Sequence, residues 1–316
     1  MTRERPDTVR LAFFGSPDFA VPTLQALVDS PWRPVVVVTQ PDRPAGRSRK
    51  MQSPSAKHVA EAAGMPVLQP SRLSEPEAVA ALAAYRPTLQ VIAAYGQIIR
   101  REVLDLPQHG TLNVHASLLP RWRGASPIAA AIHAGDVETG VTIMLVDDGI
   151  DTGAMLSRRV EPIRTDDTAG SLSVRLAQVG AELLLDTIPH WLAGEIKPEP
   201  QDDGRSTLAP RLKKGDGRID WSRAAADIAL TVRAFTPWPG ASTTFQGKSL
   251  RMLRTEAIGE RTGAEHGTVV EVDGRVGVET GDGLLVLHEV QREGKRPMGA
   301  KEFARGERNF VGGRLE

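Results

Sequence analysis

TLNVHASLLPRWRGASP, residues 111–127, is the stretch around which the rest of the 316-residue chain is read. Thr111–His115 has the look of a short strand. Side chains alternate across a strand, so Asn113 and His115, two apart, share one side. An amide and an imidazole then stand together where the strand ends. A compact loop follows, Ser117-Leu118-Leu119-Pro120, and Arg121 and Arg123 bracket Trp122 before Gly124. Ser126-Pro127 reads as an N-cap followed by proline at the first helical position. Polar groups at the carboxyl end of a strand, just ahead of a helix, occupy the place where open α/β sheets keep their ligands. The plainer alternative is that His115 bonds locally and Asn113 serves a turn.

Working outward, Val9–Phe14 is a near-continuous apolar run and predicts a buried parallel strand. Gly15-Ser-Pro-Asp18 turns it into a helix carrying Phe19, Leu24 and Leu27. This opening lacks GxGxxG, which disfavours a dinucleotide fold and with it an oxidoreductase. Further strands are predicted at Val35–Thr39, Val67–Gln69, Leu89–Ala93, Val141–Val146 and Met155–Val160, the last antiparallel to its neighbour. Ser74 and Glu77 have capping-box spacing. Asp167 or Thr168 is expected to cap a long amphipathic helix ending near Leu192.

Two segments break this pattern. Gln40–Met51 holds Arg43, Arg47, Arg49 and Lys50 against one acid, Asp42, and is too polar and proline-broken to be core. A long basic loop in a compact domain is commonly functional, and arginine forks suit phosphate. A solvated excursion is the alternative. Asp147-Asp-Gly-Ile-Asp151-Thr-Gly153 crowds three carboxylates into five positions, with two glycines expected to permit a sharp turn. It lacks the ligand ladder of an EF-hand. One of these acids is expected to face His115, orienting the ring and favouring its charged form.

Gly194–Pro210, rich in proline, glycine and charge, reads as a linker. Beyond it a helix is predicted over Ala224–Phe235. Short strands follow at Ala241–Phe245, Ser249–Thr255, Gly267–Val272, Val276–Thr280 and Leu284–Val290, with Asp273-Gly274 and Asp282-Gly283 as hairpin signals. That density of strands suggests a small OB-type barrel.

Bulk properties narrow the classes. Charged residues are 25% and hydrophobic residues 41% of the chain, ordinary for a globular protein. No run reaches the ~20 apolar residues of a membrane span, and the N-terminus has no secretory apolar core. Cysteine is absent, which rules out disulfides and thiolate metal sites and fits a cytoplasmic setting. No histidine spacing suggests a metal. Residues 1–207 hold 21 Lys+Arg and 24 Asp+Glu, and residues 208–316 hold 18 and 15, so the second half is mildly basic and permits a polyanionic partner.

NVHASLLPRWRGASPI (113–128), together with GSPDFA, TQPDRPAGR, AAYGQII, GVTIMLVDDGIDTGAML, GRIDW and FTPWPGA in the same order, closely resembles the methionyl-tRNA formyltransferases over nearly the whole chain. The NxH–SLLP–DxxDTG core is shared with formyltransferases acting on other amines. TQPDRPAGR, IDW and PWPGA point to the tRNA enzymes. Arg100, Leu208 and the ending GGRLE depart from the usual pattern. The resemblance implies a Rossmann-like α/β formyltransferase domain (1–192), a linker (193–212) and a C-terminal OB-like β-barrel that binds tRNA (213–316). It implies transfer of the formyl group of 10-formyltetrahydrofolate to the α-amine of methionine on initiator tRNA, by a cytoplasmic monomer that needs no metal and no membrane. The catalytic trio falls on Asn113, His115 and Asp151, the folate loop on Ser117, Leu118, Leu119 and Pro120, and the tRNA loop on Arg43, Arg47, Arg49 and Lys50.

The chemistry agrees with the residues. A neutral amine attacks a formamide-like carbon, so the demands are an oxyanion donor and a proton path, with no protein nucleophile. Leu118 and Leu119 are expected against the flat pterin, or else form a hydrophobic turn. Arg121 and Arg123 meet phosphate or the folate tail, or are solvated. An aminosugar formyltransferase, needing neither basic loop nor basic second domain, is one rival. An RNA-binding module on an inactive scaffold is another.

Overall fold

The computed structural model describes residues 8–45 and 50–316. They form two compact units, 1–124 with 138–162 and 173–208, and 125–137 with 163–172 and 209–316. Arg47 and Arg49 of the basic loop lie outside the described residues.

The first unit begins with β1 (Leu11–Gly15), α1 (Ala20–Val28), β2 (Val36–Val38), the hairpin strands β3 (Arg43–Ala45) and β4 (Lys50–Gln52), α2 (Ser55–Ala62), β5 (Val67–Leu68), α3 (Pro76–Ala83), β6 (Leu89–Ala93), α4 (Arg101–Leu104), β7 (Thr111–His115) and β8 (Arg123–Gly124). α5 (Pro127–His133) belongs to the second unit. β9 (Glu138–Leu145), β10 (Met155–Pro162) and most of α6 (Ala169–Leu192) complete the first. The seven-stranded sheet has the order β10-β9-β7-β6-β1-β2-β5. β7, β6, β1, β2 and β5 run parallel, while β9 is antiparallel to both β7 and β10. The central strands are apolar because helices cover both faces of a parallel sheet, and β1 and β6 are buried along their whole length.

Two contacts place the functional edge. Ser16 Oγ donates to Tyr95 O and accepts from Gln40 N, tying the loops after β1, β2 and β6 at their carboxyl ends. α6 lies close behind β7 because position 180 is glycine, where a Cβ would stand 2.6 Å from Val114 Cγ1.

Three local expectations change, and the cap expected at Thr168 is found. In the described part of the basic loop two short strands pair antiparallel, with Arg43 opposite Gln52 and Pro44 opposite Met51. Pro44 is tolerated because this two-stranded ribbon is all edge. Ser74 caps nothing, since α3 starts at Pro76 with Glu75 in the cap position. Ser126 holds the N-cap position of α5 without a capping bond, and its hydroxyl accepts from Leu212 N instead. Thr168 Oγ1 accepts from Ser171 N while Ser171 Oγ accepts from Thr168 N, so the start of α6 is capped reciprocally.

The second unit is mostly β, built from α7 (Ala225–Ala234) and a sheet that follows the two-residue β11 (Leu208–Ala209). Its strands are β12 (Ala241–Phe245), β13 (Lys248–Ile258), β14 (Val269–Val272), β15 (Arg275–Glu279), β16 (Leu284–Arg292) and β17 (Met298–Gly299), followed by α8 (Ala300–Gly306). The order is β12-β13-β16-β15-β14, with β17 on β16. The Asp273-Gly274 turn has both residues at positive φ, as a tight hairpin requires. Asp282-Gly283 sits in a longer connection, from Glu279 to Leu284. The strand path is open, and its end strands β12 and β14 each meet the C-terminal strip. Glu316 exchanges backbone bonds with Thr244, Leu315 N donates to Gly267 O, and Val269 N donates to Gly313 O. Phe303, Phe310 and Phe245 stack edge to face in the core, with centroids 4.8 and 5.1 Å apart.

Candidate active site

The site lies where β7 ends. Asn113 and His115 project from the same face, as the alternation predicts. The register with β9 sets His115 opposite Thr142 and Asn113 opposite Met144. His115 is buried, 5% exposed. Its Nε2 is 2.8 Å from Trp122 O. A carbonyl can only accept, so Nε2 carries the hydrogen, and in the neutral ring Nδ1 is the bare nitrogen. Nδ1 faces Asp151 Oδ2 at 3.7 Å. Asn113 Nδ2 donates to Asp151 Oδ1 at 3.4 Å, and Gly124 N donates to Asp151 Oδ2 at 2.8 Å. The amide, imidazole and carboxylate thus converge, across 38 positions of sequence for the Asn113–Asp151 pair.

The three crowded acids have separate partners. Asp147 Oδ1 accepts from Gly149 N and from Thr152 Oγ1 at 2.7 Å, closing the turn on itself. Asp148 pairs with Arg101 at 2.9 Å on the surface, which raises the Arg101 pKa. Only Asp151 of the three points to His115. Neither glycine of this loop takes a positive φ; Asp151 does, at +52°. The glycines are demanded instead by close approach. A Cβ at 153 would lie 1.8 Å from Leu145 O, and one at 149 would lie 1.9 Å from Thr152 Oγ1. Among the described residues no cluster of three or more His, Asp or Glu is arranged to hold a metal ion.

The Ser117–Pro120 loop is held from behind. Thr142 Oγ1 donates to Ser117 O at 2.7 Å and accepts from Leu119 N. Ser117 Oγ, fully buried, accepts from Trp122 N and donates to Trp122 O. Leu119 corrects an expectation: its side chain is 1% exposed and packs with Met144 and Met155, so it cannot lie against a flat ligand. Leu118 is half-buried, and Pro120 is partly exposed. Arg123 also departs from expectation. It is neither solvated nor free for phosphate, because it is buried and bonded to Gln201 Oε1 (2.9 Å) and Asp203 Oδ1 (2.7 Å). Arg121 is exposed, with its guanidinium carbon 3.9 Å from the Trp122 ring centroid.

The supposed linker reaches this site too. Gln201 Nε2 donates to Asp151 O at 2.8 Å and to Gly153 O at 2.7 Å. Gln201, Trp122 O and Gly124 N carry no functional signal in the sequence. The last two are backbone groups with no residue-type signature, and the polarity of 194–210 hid the first.

Arg43 and Lys50 are exposed on the hairpin, where Arg43 donates to Gln40 Oε1. The root of the hairpin is pinned by Asp42, which accepts from Lys57 Nζ at 2.8 Å and Gln69 Nε2 at 2.7 Å. The Lys57 and Gln69 bonds lower the Asp42 pKa to about 2.

Residues 9–188 match the formyl transferase family, and residues 211–308 match the formyl transferase C-terminal domain. The methionyl-tRNA formyltransferase of Roseiflexus castenholzii is 47% identical over 98% of this chain and 99% of its own. That of Magnetococcus marinus is 48% identical over 97% and 98%. Among solved structures, the sugar 3N-formyl transferase WlaRD, crystallised with dTDP and 5-N-formyl-THF, superposes with a TM-score of 0.65 over 91% of this chain and 99% of that one, at 18% identity, a likeness of fold. With near-full-length relatives of this kind and both domains matched, the chain belongs to the methionyl-tRNA formyltransferase family.

Proposed function

We propose that the protein transfers the formyl group of 10-formyltetrahydrofolate to the α-amine of methionine carried by initiator tRNA, by direct amine attack. The observation that carries this reading is the convergence of Asn113 Nδ2, His115 Nδ1 and the Asp151 carboxylate at the end of β7. The amine nitrogen bonds to the formyl carbon, and the carbonyl electrons move to oxygen. The carbon–N10 bond then breaks as N10 takes a proton, the equivalent of the one the amine gives up. Asn113 has a second N–H to offer the oxyanion. Such a donor is worth about 100- to 1,000-fold in rate. His115, with Nε2 committed to Trp122 O, works through Nδ1: charged, it donates to the oxyanion, and neutral, it relays the proton. Asp151, facing Nδ1 of the ring, helps collect the amine proton.

The folate would sit along Ser117, Leu118, Leu119 and Pro120. The burial of Leu119 leaves its backbone and the Leu118 side chain as the contact surface. The likeness of fold to WlaRD, whose structure was solved in the presence of 5-N-formyl-THF, supports this co-substrate. Residues 1–192 carry the chemistry, 193–212 connect the domains while Gln201 reaches back to the site, and 213–316 form an OB-like barrel that adds grip on the tRNA backbone through its positive balance. Arg43, Arg47, Arg49 and Lys50 meet the tRNA phosphates. Their joint replacement by alanine is expected to raise the Michaelis constant for tRNA and flatten its salt dependence. The deciding experiment is a formylation assay with charged initiator and elongator tRNAs side by side, with an amino-sugar nucleotide as a third substrate. Formylation of the sugar alone would sink the tRNA reading.

A further inference from the structure

We propose that Gln201 is a positioning residue, a single primary amide that locks the Asp151 turn so that its carboxylate meets His115. This rests on the reading of Asp151 as a catalytic carboxylate. The two N–H bonds of Gln201 Nε2 go to different carbonyls, Asp151 O and Gly153 O, on either side of Thr152. Its Oε1 accepts from Arg123 Nε. Arg123 is buried and held at its other end by Asp203. These partners leave one allowed orientation. A flipped amide would set Oε1 against two carbonyl oxygens and Nε2 against the Arg123 N–H.

The need for such a lock is visible in the turn. Asp151 sits at φ +52°, a left-handed conformation that is uncommon for residues with a Cβ and that aspartate is among the few to tolerate. The peptide carbonyls of 151 and 153 would otherwise be free to turn. The carboxylate is fixed from the same source, since Gly124 N, next in chain to Arg123, donates to Asp151 Oδ2. Arg123-Gly124 and Gln201 thus grip the turn at its carboxylate and its backbone together. Gln201 is delivered there by the bridge just before it, where Glu199 and Met155 exchange backbone bonds at the start of β10.

Gln201→Glu is the diagnostic variant. It keeps the length and the Arg123 contact but turns a carboxylate oxygen onto two carbonyls. Gln201→Met removes the bonds without repulsion and serves if the first fails to fold. The expected result is a fall in kcat of about 10- to 100-fold, the cost of a small misplacement of a reacting group, with the Michaelis constant for Met-tRNA nearly unchanged. The His115 ring nitrogen signals are expected to shift in NMR spectra, and an Asp151→Asn background is expected to remove most of the Gln201 effect. A merely structural role would lower the melting temperature, leave the ring signals in place and add independently to Asp151→Asn. Full activity in Asp151→Asn alone overturns the catalytic reading. Loss there, with wild-type kcat or simple additivity for the Gln201 variants, overturns the positioning role alone.

Discussion

At the scale of single residues, the site separates groups of one type by their partners. Asp147 and Asp151 are both carboxylates on one turn, yet the first closes the loop through Gly149 and Thr152 and the second faces His115. Asp151→Asn is therefore expected to lose formylation far more than Asp147→Asn, and steady-state rates at saturating folate and tRNA measure it. Equal activity in the two would remove Asp151 from the mechanism. Asn113→Ala is expected to lower kcat by about 100- to 1,000-fold if its second N–H meets the oxyanion. A change confined to the Michaelis constant would show that it binds substrate without stabilising the transition state. His133, in the second unit, stacks on Phe235 with centroids 5.4 Å apart. Burial first, then Arg223, holds its pKa below the usual imidazole value. A base lowered on folding leaves stability intact while both states are neutral. It costs stability as pH falls through ~6.5, where only the unfolded ring takes up a proton. His133→Gln is thus expected to flatten the decline of melting temperature below that pH.

At the scale of elements, two turns are each pinned by a specific contact. The 147–153 turn tolerates no side chain at 153, where Leu145 O lies 1.8 Å from a built Cβ. Gly153→Ala should destabilise by about 1–3 kcal/mol, the usual cost of overpacking, and displace Asp151. Thermal unfolding and the rate assay together report both effects. The basic hairpin depends on Asp42, whose carboxyl is held at about 2 by Lys57 and Gln69. A depressed carboxyl contributes fully above its unfolded value, near 3.8, and loses that contribution as pH falls through about 2. The anchor is therefore in place at neutral pH. Asp42→Asn is expected to speed amide exchange across 40–45 and 50–52 there. Unchanged exchange would mean the hairpin is held by its own strand pairing.

At the scale of the whole molecule, the second unit is finished by its last residues. The strip 312–316 bonds to both end strands of the sheet, and Leu315 is 2% exposed among Phe245 and its neighbours. Leu315→Ala should cost about 2–5 kcal/mol, as core truncations do, lowering the melting temperature of that unit. An unshifted melt would show the strip to be dispensable. GGRLE stands out in the sequence only as an unusual ending, because five residues with one leucine carry no strand signal. The mostly β character of this unit was legible, since alternating apolar residues between Asp-Gly turns report strands locally. The partners of its end strands were not, because edge pairing depends on where distant backbone arrives.

The same boundary runs through the candidate site. Side-chain alternation is a local property, so the pairing of Asn113 with His115 on one face followed from their spacing alone. So did the buried run of β1, the hairpin at Asp273-Gly274, and the presence of an acid for the imidazole. The family motif already singled out Asp151 among the three acids, and tertiary structure supplies the reason, because the turn that Gly149 and Gly153 allow to close brings its carboxylate to His115. Tertiary structure alone decided that Trp122 O accepts the hydrogen bond of His115 Nε2–H, that Leu119 faces inward, and that Gln201 is delivered over 50 residues to Asp151. Backbone carbonyls and amides are the same in every residue, so no pattern of side chains announces which will be used. Only packing brings them within bonding distance.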